Sequence, residues 1–330
     1  MAEKEWRRVK LTLYKYISDN CKRILIGLIL LILSVYGFLR VYDSTYVWQS
    51  TILNNAIRPV TRRQCDLEVH DKSLSSSRKP LSIGLLMLYS TSNEGAWNKR
   101  LMSRVESNRK QFCDIHKCDL INANEVIDKS RPTAWSKFLA AKKYLPKYDY
   151  LFYLDMDIVI MNMNVSYTKF IDYAMEKGSD RTSNSPEIDI IMAQDWSGAN
   201  TGAWMIRNSS WSLKFLDDAW RLGSTMVQPK SENGISFPFQ YEQRVFHYML
   251  ATDKWTDRGL PKYEHFEDVR SHFVILPQCA MNSYSIHPLE YRANREISQY
   301  VHGDFLIHFP GKTPAAKEAL MMHYLDKVHA

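Results

Sequence analysis

The sequence lacks the two glycine-rich loops with which common nucleotide-binding folds hold phosphates, since neither GxGxxG nor GxxxxGK[ST] occurs in it. This excludes those two modes of phosphate binding. No internal repeat is apparent, which excludes a repeat architecture. From Leu81 onward the acidic and basic residues nearly cancel, so no charged face for nucleic acid is predicted. The net charge of +7 belongs to the first 80 residues.

One apolar run in that basic region lacks any charge. Residues 24–39 read ILIGLILLILSVYGFL, with two basic residues before the run and Arg40 after it. Sixteen helical residues span about 24 Å, and the next two residues extend the run toward the thickness of a bilayer. A cleaved signal peptide would need a small-residue cleavage site, which is missing here. We therefore predict a transmembrane signal anchor at residues 24–42.

The charges around this anchor predict its orientation. Residues 1–23 hold seven basic and three acidic residues, and such an excess stays in the cytosol. Residues 43–80 lack sustained periodicity and end in SLSSSRKP, which is typical of a stem. Residues 81–330 would then form a lumenal catalytic domain. The predicted location is the Golgi membrane, as a single-pass type II protein.

A lumenal domain would expose its cysteines and glycosylation sequons to the secretory pathway. Four cysteines lie beyond the anchor, and the sequence does not choose among their three pairings: Cys65, Cys113, Cys118 and Cys279. Two Asn-x-Ser sequons begin at Asn164 and Asn208. The occupancy of these sequons depends on the predicted topology.

Beyond the stem, apolar runs alternate with segments of helical spacing. The predicted strands are 82–90, 119–125, 149–162, 188–195, 203–208, 272–277 and 305–311. The predicted helices are 97–112, 133–143, 211–221 and 241–250. This alternation predicts an α/β fold whose largely parallel central sheet is flanked by helices on both faces. Ligands of such sheets bind at the carboxyl ends of the strands.

Two carboxylates, Asp155 and Asp157, follow directly on the apolar residues 150–154. In an extended chain, residues i and i+2 point to one side, so the pair offers two hard oxygen ligands together. Such ligands suit Mn²⁺ or Mg²⁺ bridging a diphosphate. The alternative is a strand end with two solvated acids. We favour the metal site.

Other polar residues follow predicted strands or open a helix. His308, Gly311 and Lys312 end the last strand, where an imidazole could complete the metal site and a lysine could meet phosphate. Further candidates for sugar binding are Asp195, Trp196, Asn200, Thr201 and Gly202, although Asn-Thr-Gly is also a common turn. Glu242 and Gln243 begin a predicted helix, where an acid is favourable without any function.

Four stretches taken in order resemble glycosyltransferase family 34. They are AWSKFLAAKKYLPKYDYLFYLDMDIVIMN, NTGAWMIRNSSWSLKFLDDAW, YEQRVFHYM and HFPGK, and the resemblance spans about Leu81 to Lys312. It implies a GT-A fold with Asp155, Asp157 and His308 as metal ligands. It also implies that Lys312 contacts the diphosphate, beside Gly311.

The resemblance further implies roles around the transferred sugar. Gln243, with Glu242 beside it, would lie near the anomeric carbon. Asp195 would act in catalysis at the sugar. The remaining donor-binding residues would be Lys137, Trp196, Asn200, Thr201 and Gly202.

The implied activity is a metal-dependent, retaining transfer of mannose or galactose from GDP-mannose or UDP-galactose to a glycan or glycoprotein, giving an α-linkage. Because Gln243 is a poor nucleophile, we favour a front-face displacement assisted by the leaving phosphate. The Tyr241-Glu242 pair, where plant relatives carry two aspartates, favours the fungal type. Three alternatives remain: an anchored, non-catalytic subunit of a glycosyltransferase complex, a nucleotide-sugar hydrolase, and a membrane-tethered lectin.

Overall fold

A computed structural model describes residue 34 and residues 65–69, 80–89, 98–179, 187–195, 198–226, 242–250, 266–285 and 298–328. The chain divides into a unit of residues 1–55, of which only the helical, exposed Ser34 is described, and a unit of residues 56–330. The predicted tail and nearly all of the predicted anchor therefore lie outside the described residues, as does Trp196. Among the residues that are described, no helix has the length and apolar character to cross a membrane.

A six-stranded sheet forms the centre of the second unit. Its strands lie in the order β2-β1-β3-β6-β5-β7. They are β1 (Ile83–Met87), β2 (Asp119–Asn122), β3 (Tyr150–Leu154), β5 (Ile190–Asp195), β6 (Gly198–Arg207) and β7 (Phe273–Leu276). A second sheet has the order β4-β9-β8. Its strands are β4 (Ile158–Ile160), β8 (Ser283–Tyr284) and β9 (Leu306–His308).

The helices begin with α1 (Lys99–His116), α2 (Ser136–Tyr144), α3 (Tyr167–Ser179) and α4 (Ser210–Met226). They continue with α5 (Gln243–Met249), α6 (Phe266–Ser271), α7 (Gln278–Met281) and α8 (Pro314–Leu325). Short 3-10 turns cover Asn124–Val126, Thr133–Trp135 and Leu145–Lys147. The predicted strand 119–125 is therefore wrong in its second half, where the first of these turns lies.

The central sheet is largely parallel, as predicted, but it is mixed because one of its six strands runs in the opposite direction. β6 runs antiparallel to both of its neighbours, β3 and β5, while the other pairings are parallel. Only two residues separate β5 from β6, and so short a connection permits only an antiparallel hairpin. The Asn200-Thr201-Gly202 segment is thus part of a strand and not the turn that was the alternative.

The predicted strand 149–162 is two strands in different sheets. β3 ends at Leu154, and the chain turns through Asp155 and Asp157, where the amide of Ile158 donates to the carbonyl of Asp155 at 3.1 Å. β4 then pairs antiparallel with β9. The two carboxylates are therefore brought together by a turn, and the extended i, i+2 geometry was wrong.

Alternate residues of the strands enter two hydrophobic cores, one on each face of the central sheet. In β3, Leu151 and Tyr153 pack with α2, α4 and α5, whereas Phe152 and Leu154 pack with α1 and α3. The same alternation occurs in β5 and β6. Because both faces of the sheet are covered, the strands read in the sequence as continuous apolar runs.

Two disulfides resolve the pairing that the sequence left open. Cys113 pairs with Cys118 across the end of α1, where Lys117 adopts φ 60°. Cys65 pairs with Cys279 across 214 residues. The second disulfide joins the predicted stem to α7, so residue 65 is covalently part of the same unit as the sheets.

Candidate metal and donor site

Three potential metal ligands lie together where β3 ends and the second sheet begins. β4 and β9 pair with Ile158 opposite His308, which brings His308 beside the Asp155–Asp157 turn. The amide of Phe309 donates to the carbonyl of Asp157 at 3.0 Å. The amide of Asp155 donates to the carbonyl of Gly202 in β6 at 2.7 Å. Backbone contacts from both sheets therefore hold the turn.

A buried arginine also holds the Asp155–Asp157 turn, through hydrogen bonds to backbone carbonyls. Arg109 of α1 is fully buried and donates to the carbonyls of Leu154 at 3.1 Å and Asp155 at 2.5 Å. Burial lowers the pKa of its guanidinium to about 10. Arg109 is thus cationic at neutral pH. Sequence analysis missed this role, because Arg109 belongs to no local motif and precedes Leu154 by 45 residues.

The donor set fits a divalent cation. One ligand atom from each of Asp155, Asp157 and His308 can be chosen so that all lie within 4.8 Å of one another. Asp157 Oδ1 and His308 Nε2 are 3.3 Å apart. Two carboxylates and one imidazole match the ligand chemistry of Mn²⁺, which accepts oxygen and nitrogen donors.

Lys317 of α8 is a residue of this site that the sequence analysis missed. Its Nζ lies 2.6 Å from Asp157 Oδ2. Burial disfavours the Asp157 anion, but the charges and hydrogen bonds of His308 and Lys317 outweigh burial and lower its pKa. The ammonium group of Lys317 thus forms an ion pair with this carboxylate. Lys317 follows the predicted phosphate ligand Lys312 by five residues. It lies in the first turn of α8, which begins at Pro314, and from there its side chain reaches Asp157.

Lys137, one of the predicted donor-binding residues, is completely buried under the site. Its Nζ lies 2.6 Å from Glu242 Oε1, 3.3 Å from Asp155 Oδ1 and 3.1 Å from the carbonyl of Thr201. Burial lowers the pKa of Lys137, but the two carboxylates outweigh it and the net pKa is raised. The side chain of Lys137 is 0% exposed, and its charge neutralises Glu242 and Asp155. Its predicted role in donor binding stays a prediction.

Glu242 is equally enclosed. Its Oε1 accepts from Lys137 and from the hydroxyl of Thr201 at 2.9 Å. Burial raises its pKa, but Lys137 and Thr201 outweigh burial, so the net pKa is lowered. For Asp155 burial prevails and its pKa is raised, although Lys137 opposes this. Gln243 Oε1 accepts from the amide of Thr201 at 3.4 Å.

Asp195 and Asn200 meet at a third group of polar side chains. Asn200 Nδ2 donates to Asp195 Oδ2 at 2.8 Å, and the hydroxyl of Tyr284 donates to the same oxygen at 2.8 Å. Tyr284 in β8 was not predicted. It lies 89 residues from Asp195, and only the pairing of β8 with β9 brings it here.

The remaining predicted residues border this region. Gly202 is buried, and an added Cβ there would lie 2.4 Å from His308 Cε1. Gly311 is exposed with φ +66°, a backbone conformation that favours glycine. Lys312, beside it, is half-buried.

Residues 82–319 match the model of the galactosyl transferase GMA12/MNN10 family. The chain belongs to this family. It is therefore a glycosyltransferase, built around a mixed central sheet with flanking helices. The predicted family is confirmed.

Curated relatives include plant and fungal enzymes. The chain is 26% identical over 189 residues to galactomannan galactosyltransferase 1 of Cyamopsis tetragonoloba, which covers 50% of the chain and 40% of that protein. It is 24% identical over 274 residues to the probable alpha-1,2-galactosyltransferase gmh1 of Schizosaccharomyces pombe, covering 74% and 73%. It is 26% identical to xyloglucan 6-xylosyltransferase 1 of Arabidopsis thaliana, covering 45% and 34%. The matches thus span less than half of the two plant proteins.

Two solved glycosyltransferases are similar to this family member at lower identity. One takes part in glycosylation of the major capsid of PBCV-1, with 16% identity and a TM-score of 0.43, covering 73% of this chain and 99% of that one. The other is the galactosyltransferase LgtC, with 10% identity and a TM-score of 0.34, covering 75% and 96%.

Proposed function

We propose that this glycosyltransferase is metal-dependent and moves a hexose from a nucleotide sugar to a glycan or glycoprotein, with retention and an α-linkage. The observation that carries the proposal is the cluster of Asp155, Asp157 and His308 in a member of this family. The cluster lies at the carboxyl end of β3, where ligands of α/β sheets bind. Mn²⁺ is the favoured ion and Mg²⁺ the alternative.

Asp155, Asp157 and His308 would hold the ion, which supplies positive charge to the donor's diphosphate when bound. Lys137 compensates the charges of the half-buried Asp155 and the buried Glu242, so that Asp155 remains directed at the site. In the transfer reaction, the anomeric carbon of the sugar loses its bond to the phosphate oxygen and gains a bond to the oxygen of an acceptor hydroxyl. The proton of that hydroxyl passes to the departing phosphate oxygen, on the same face.

The remaining roles in this proposal follow the residues that border the site. Lys312 would contact the diphosphate, and Gln243 would lie near the anomeric carbon. Asp195 and Asn200, already joined by a hydrogen bond, would hold hydroxyls of the sugar. Glu242 has one carboxylate oxygen occupied by Lys137 and Thr201, so we assign it to support of the site.

We propose UDP-galactose as the donor before GDP-mannose, because the family description and two of the relatives name galactosyl transfer. Full-length protein is assayed with Mn²⁺ and each of UDP-galactose, GDP-mannose and UDP-xylose, with and without acceptor glycans. Transfer to glycan from one hexose donor is expected, with a loss of about 10³-fold or more in Asp157→Asn. Release of free sugar alone would indicate a hydrolase, and no turnover with any donor would favour a non-catalytic subunit.

We also propose the Golgi type II topology, with residues 81–330 in the lumen. Two disulfides among the described residues suit an oxidising compartment, and both Asn164 and Asn208 are exposed. In secretory cells, the wild-type chain should lose apparent mass on endoglycosidase treatment. The variant with Asn164→Gln and Asn208→Gln should not. An unmodified wild-type chain with both sequons exposed would contradict the lumenal placement.

A further inference from the structure

Two side chains without an assigned role, Asn282 and Tyr284, lie between the candidate metal ligand His308 and the candidate sugar residue Asp195. Asn282 is 1% exposed and Tyr284 is 3% exposed. β8 and β9 are parallel with Tyr284 opposite His308, and the two rings meet edge to face at 5.5 Å. The pair therefore belongs to the wall of the site and has no contact with solvent to explain its polar groups.

The directions of these hydrogen bonds follow from the backbone amide of Gly202, which can only donate. The amide of Gly202 donates to Asn200 Oδ1 at 2.9 Å, so this oxygen is an acceptor and Asn200 Nδ2 is the donor end. Asn200 Nδ2 then donates to Asp195 Oδ2 at 2.8 Å and to the hydroxyl oxygen of Tyr284 at 3.0 Å. The orientation of the Asn200 amide is thus set by the backbone of β6.

The single proton of the Tyr284 hydroxyl goes to Asp195 Oδ2, at 2.8 Å, because that carboxylate oxygen accepts hydrogen bonds. The hydroxyl oxygen can then only accept from its other neighbours. Asn282 Nδ2 lies 3.4 Å from it and is its second donor. The Asn282 amide is thereby oriented with Oδ1 away from Tyr284 and toward His308.

Asn282 Oδ1 lies 2.8 Å from His308 Nδ1. Since Oδ1 has no proton, His308 must carry one on Nδ1. An imidazole that keeps its proton on Nδ1 and gives up the one on Nε2 presents the lone pair of Nε2 to Asp157 Oδ1, 3.3 Å away. Two lone pairs then face each other, which is the arrangement that binds a cation.

We propose that Asn282 is a positioning residue that selects the metal-binding tautomer of His308, and that Tyr284 couples this selection to Asp195. The inference rests on the proposed metal-dependent function. The hydrogen bonds form a chain that starts at the backbone of β6, passes the carboxylate of Asp195 and ends at His308. Asn282 is required for the ion, whereas Tyr284 is required for the position of Asp195.

Metal affinity separates the two roles. Mn²⁺ binding to full-length protein is measured by calorimetry for wild type, Asn282→Leu, Asn282→Asp and Tyr284→Phe. We expect about 10- to 100-fold weaker binding for Asn282→Leu, since the loss of an outer partner of a ligating histidine has that effect. Asn282→Asp keeps an acceptor for Nδ1 and is expected to bind Mn²⁺ at least as tightly as wild type. Tyr284→Phe keeps the Asn282 side chain but removes the hydroxyl that orients its amide, so it should weaken Mn²⁺ binding less than Asn282→Leu, by about threefold, and lower kcat about tenfold.

The tautomer itself is read without metal, from the nitrogen chemical shifts of ¹⁵N-histidine protein, with His308→Gln to assign the signal. Wild-type protein should show His308 protonated on Nδ1, and Asn282→Leu should lose this preference. A wild-type His308 protonated on Nε2 alone would overturn the proposal, even if Asn282→Leu fails to fold. Equal loss of Mn²⁺ affinity in Asn282→Asp and Asn282→Leu would overturn it too. Wild-type protein that binds no Mn²⁺ would instead contradict the proposed function, while the tautomer result would still decide the role of Asn282.

Discussion

Replacing Lys137 by methionine is expected to lower the free energy of unfolding by about 3–5 kcal/mol, which is the usual cost of removing one partner of a buried ion pair. Lys137 has 0% side-chain exposure and is hydrogen-bonded to both Glu242 and Asp155. Methionine fills a similar volume but leaves a carboxylate at Glu242 that is itself only 7% exposed. Urea unfolding of the full-length protein measures the change.

Two further variants test the reason for this loss. Lys142 lies five residues on in the same helix and pairs with Asp217 at the surface, with 48% and 55% exposure. Lys142→Met should cost at most about 1 kcal/mol, because solvent screens exposed pairs. Adding Glu242→Gln to Lys137→Met should recover part of the lost stability, since it removes the stranded charge. Equal stability of Lys137→Met and Lys142→Met would contradict the buried network.

The same variant should respond to pH in a defined direction. In wild type, Lys137 outweighs burial and lowers the pKa of Glu242, so this carboxylate contributes stability at neutral pH that is lost as the pH falls. Without Lys137, the hydrogen bond from Thr201 remains but the largest opposing charge is gone, so burial raises the folded pKa of Glu242. Stability of Lys137→Met should therefore rise relative to wild type as the pH falls from 7 toward about 4.3, the unperturbed glutamate value.

The sequence predicted the strands and helices well where a local pattern encodes them. Apolar runs with both faces buried identified β1, β3 and β5, and helical spacing identified α1 and α4. The direction of β6 was missed, because the direction of a strand depends on its connection and pairing and not on its own residues. The turn at Asp155–Asp157 was missed for a related reason, since apolar residues continue on both sides of it.

The candidate site likewise contains residues that a local sequence pattern identifies and residues that it does not. Asp155, Asp157 and His308 carry recognisable chemistry at strand ends, and the structure brings them together. Lys317 and Asn282 carry no such pattern. Each reaches the site through a contact between segments far apart in the sequence: 160 residues from Lys317 to Asp157, and 26 from Asn282 to His308. Such contacts depend on how β4, β8 and β9 assemble, which periodicity does not report.

Gly202→Ala is expected to weaken Mn²⁺ binding by about 100-fold while leaving the fold intact, because the new methyl group and His308 cannot occupy their places together. A Cβ on residue 202 would lie 2.4 Å from His308 Cε1 and 3.0 Å from Nδ1. The backbone of residue 202 cannot retreat easily. Its carbonyl accepts from the amide of Asp155 at 2.7 Å, and its amide donates to Asn200 Oδ1 at 2.9 Å. The imidazole must therefore move, and it carries the candidate ligand Nε2 with it.

Calorimetric titration with Mn²⁺ and thermal unfolding with and without the ion test this prediction. The matched control is Gly178→Ala in α3, where a Cβ would meet Ile188 Cγ1 at 3.3 Å, a contact that small side-chain shifts relieve. Overpacking at Gly202 should cost about 1–3 kcal/mol of stability on its own. The decisive quantity is thus the added stability on Mn²⁺ binding, which should be equal in wild type and Gly178→Ala and lower by up to about 2.7 kcal/mol in Gly202→Ala. Equal Mn²⁺ stabilisation in all three proteins would mean that His308 is not a ligand, since its displacement would then leave the ion's site unchanged.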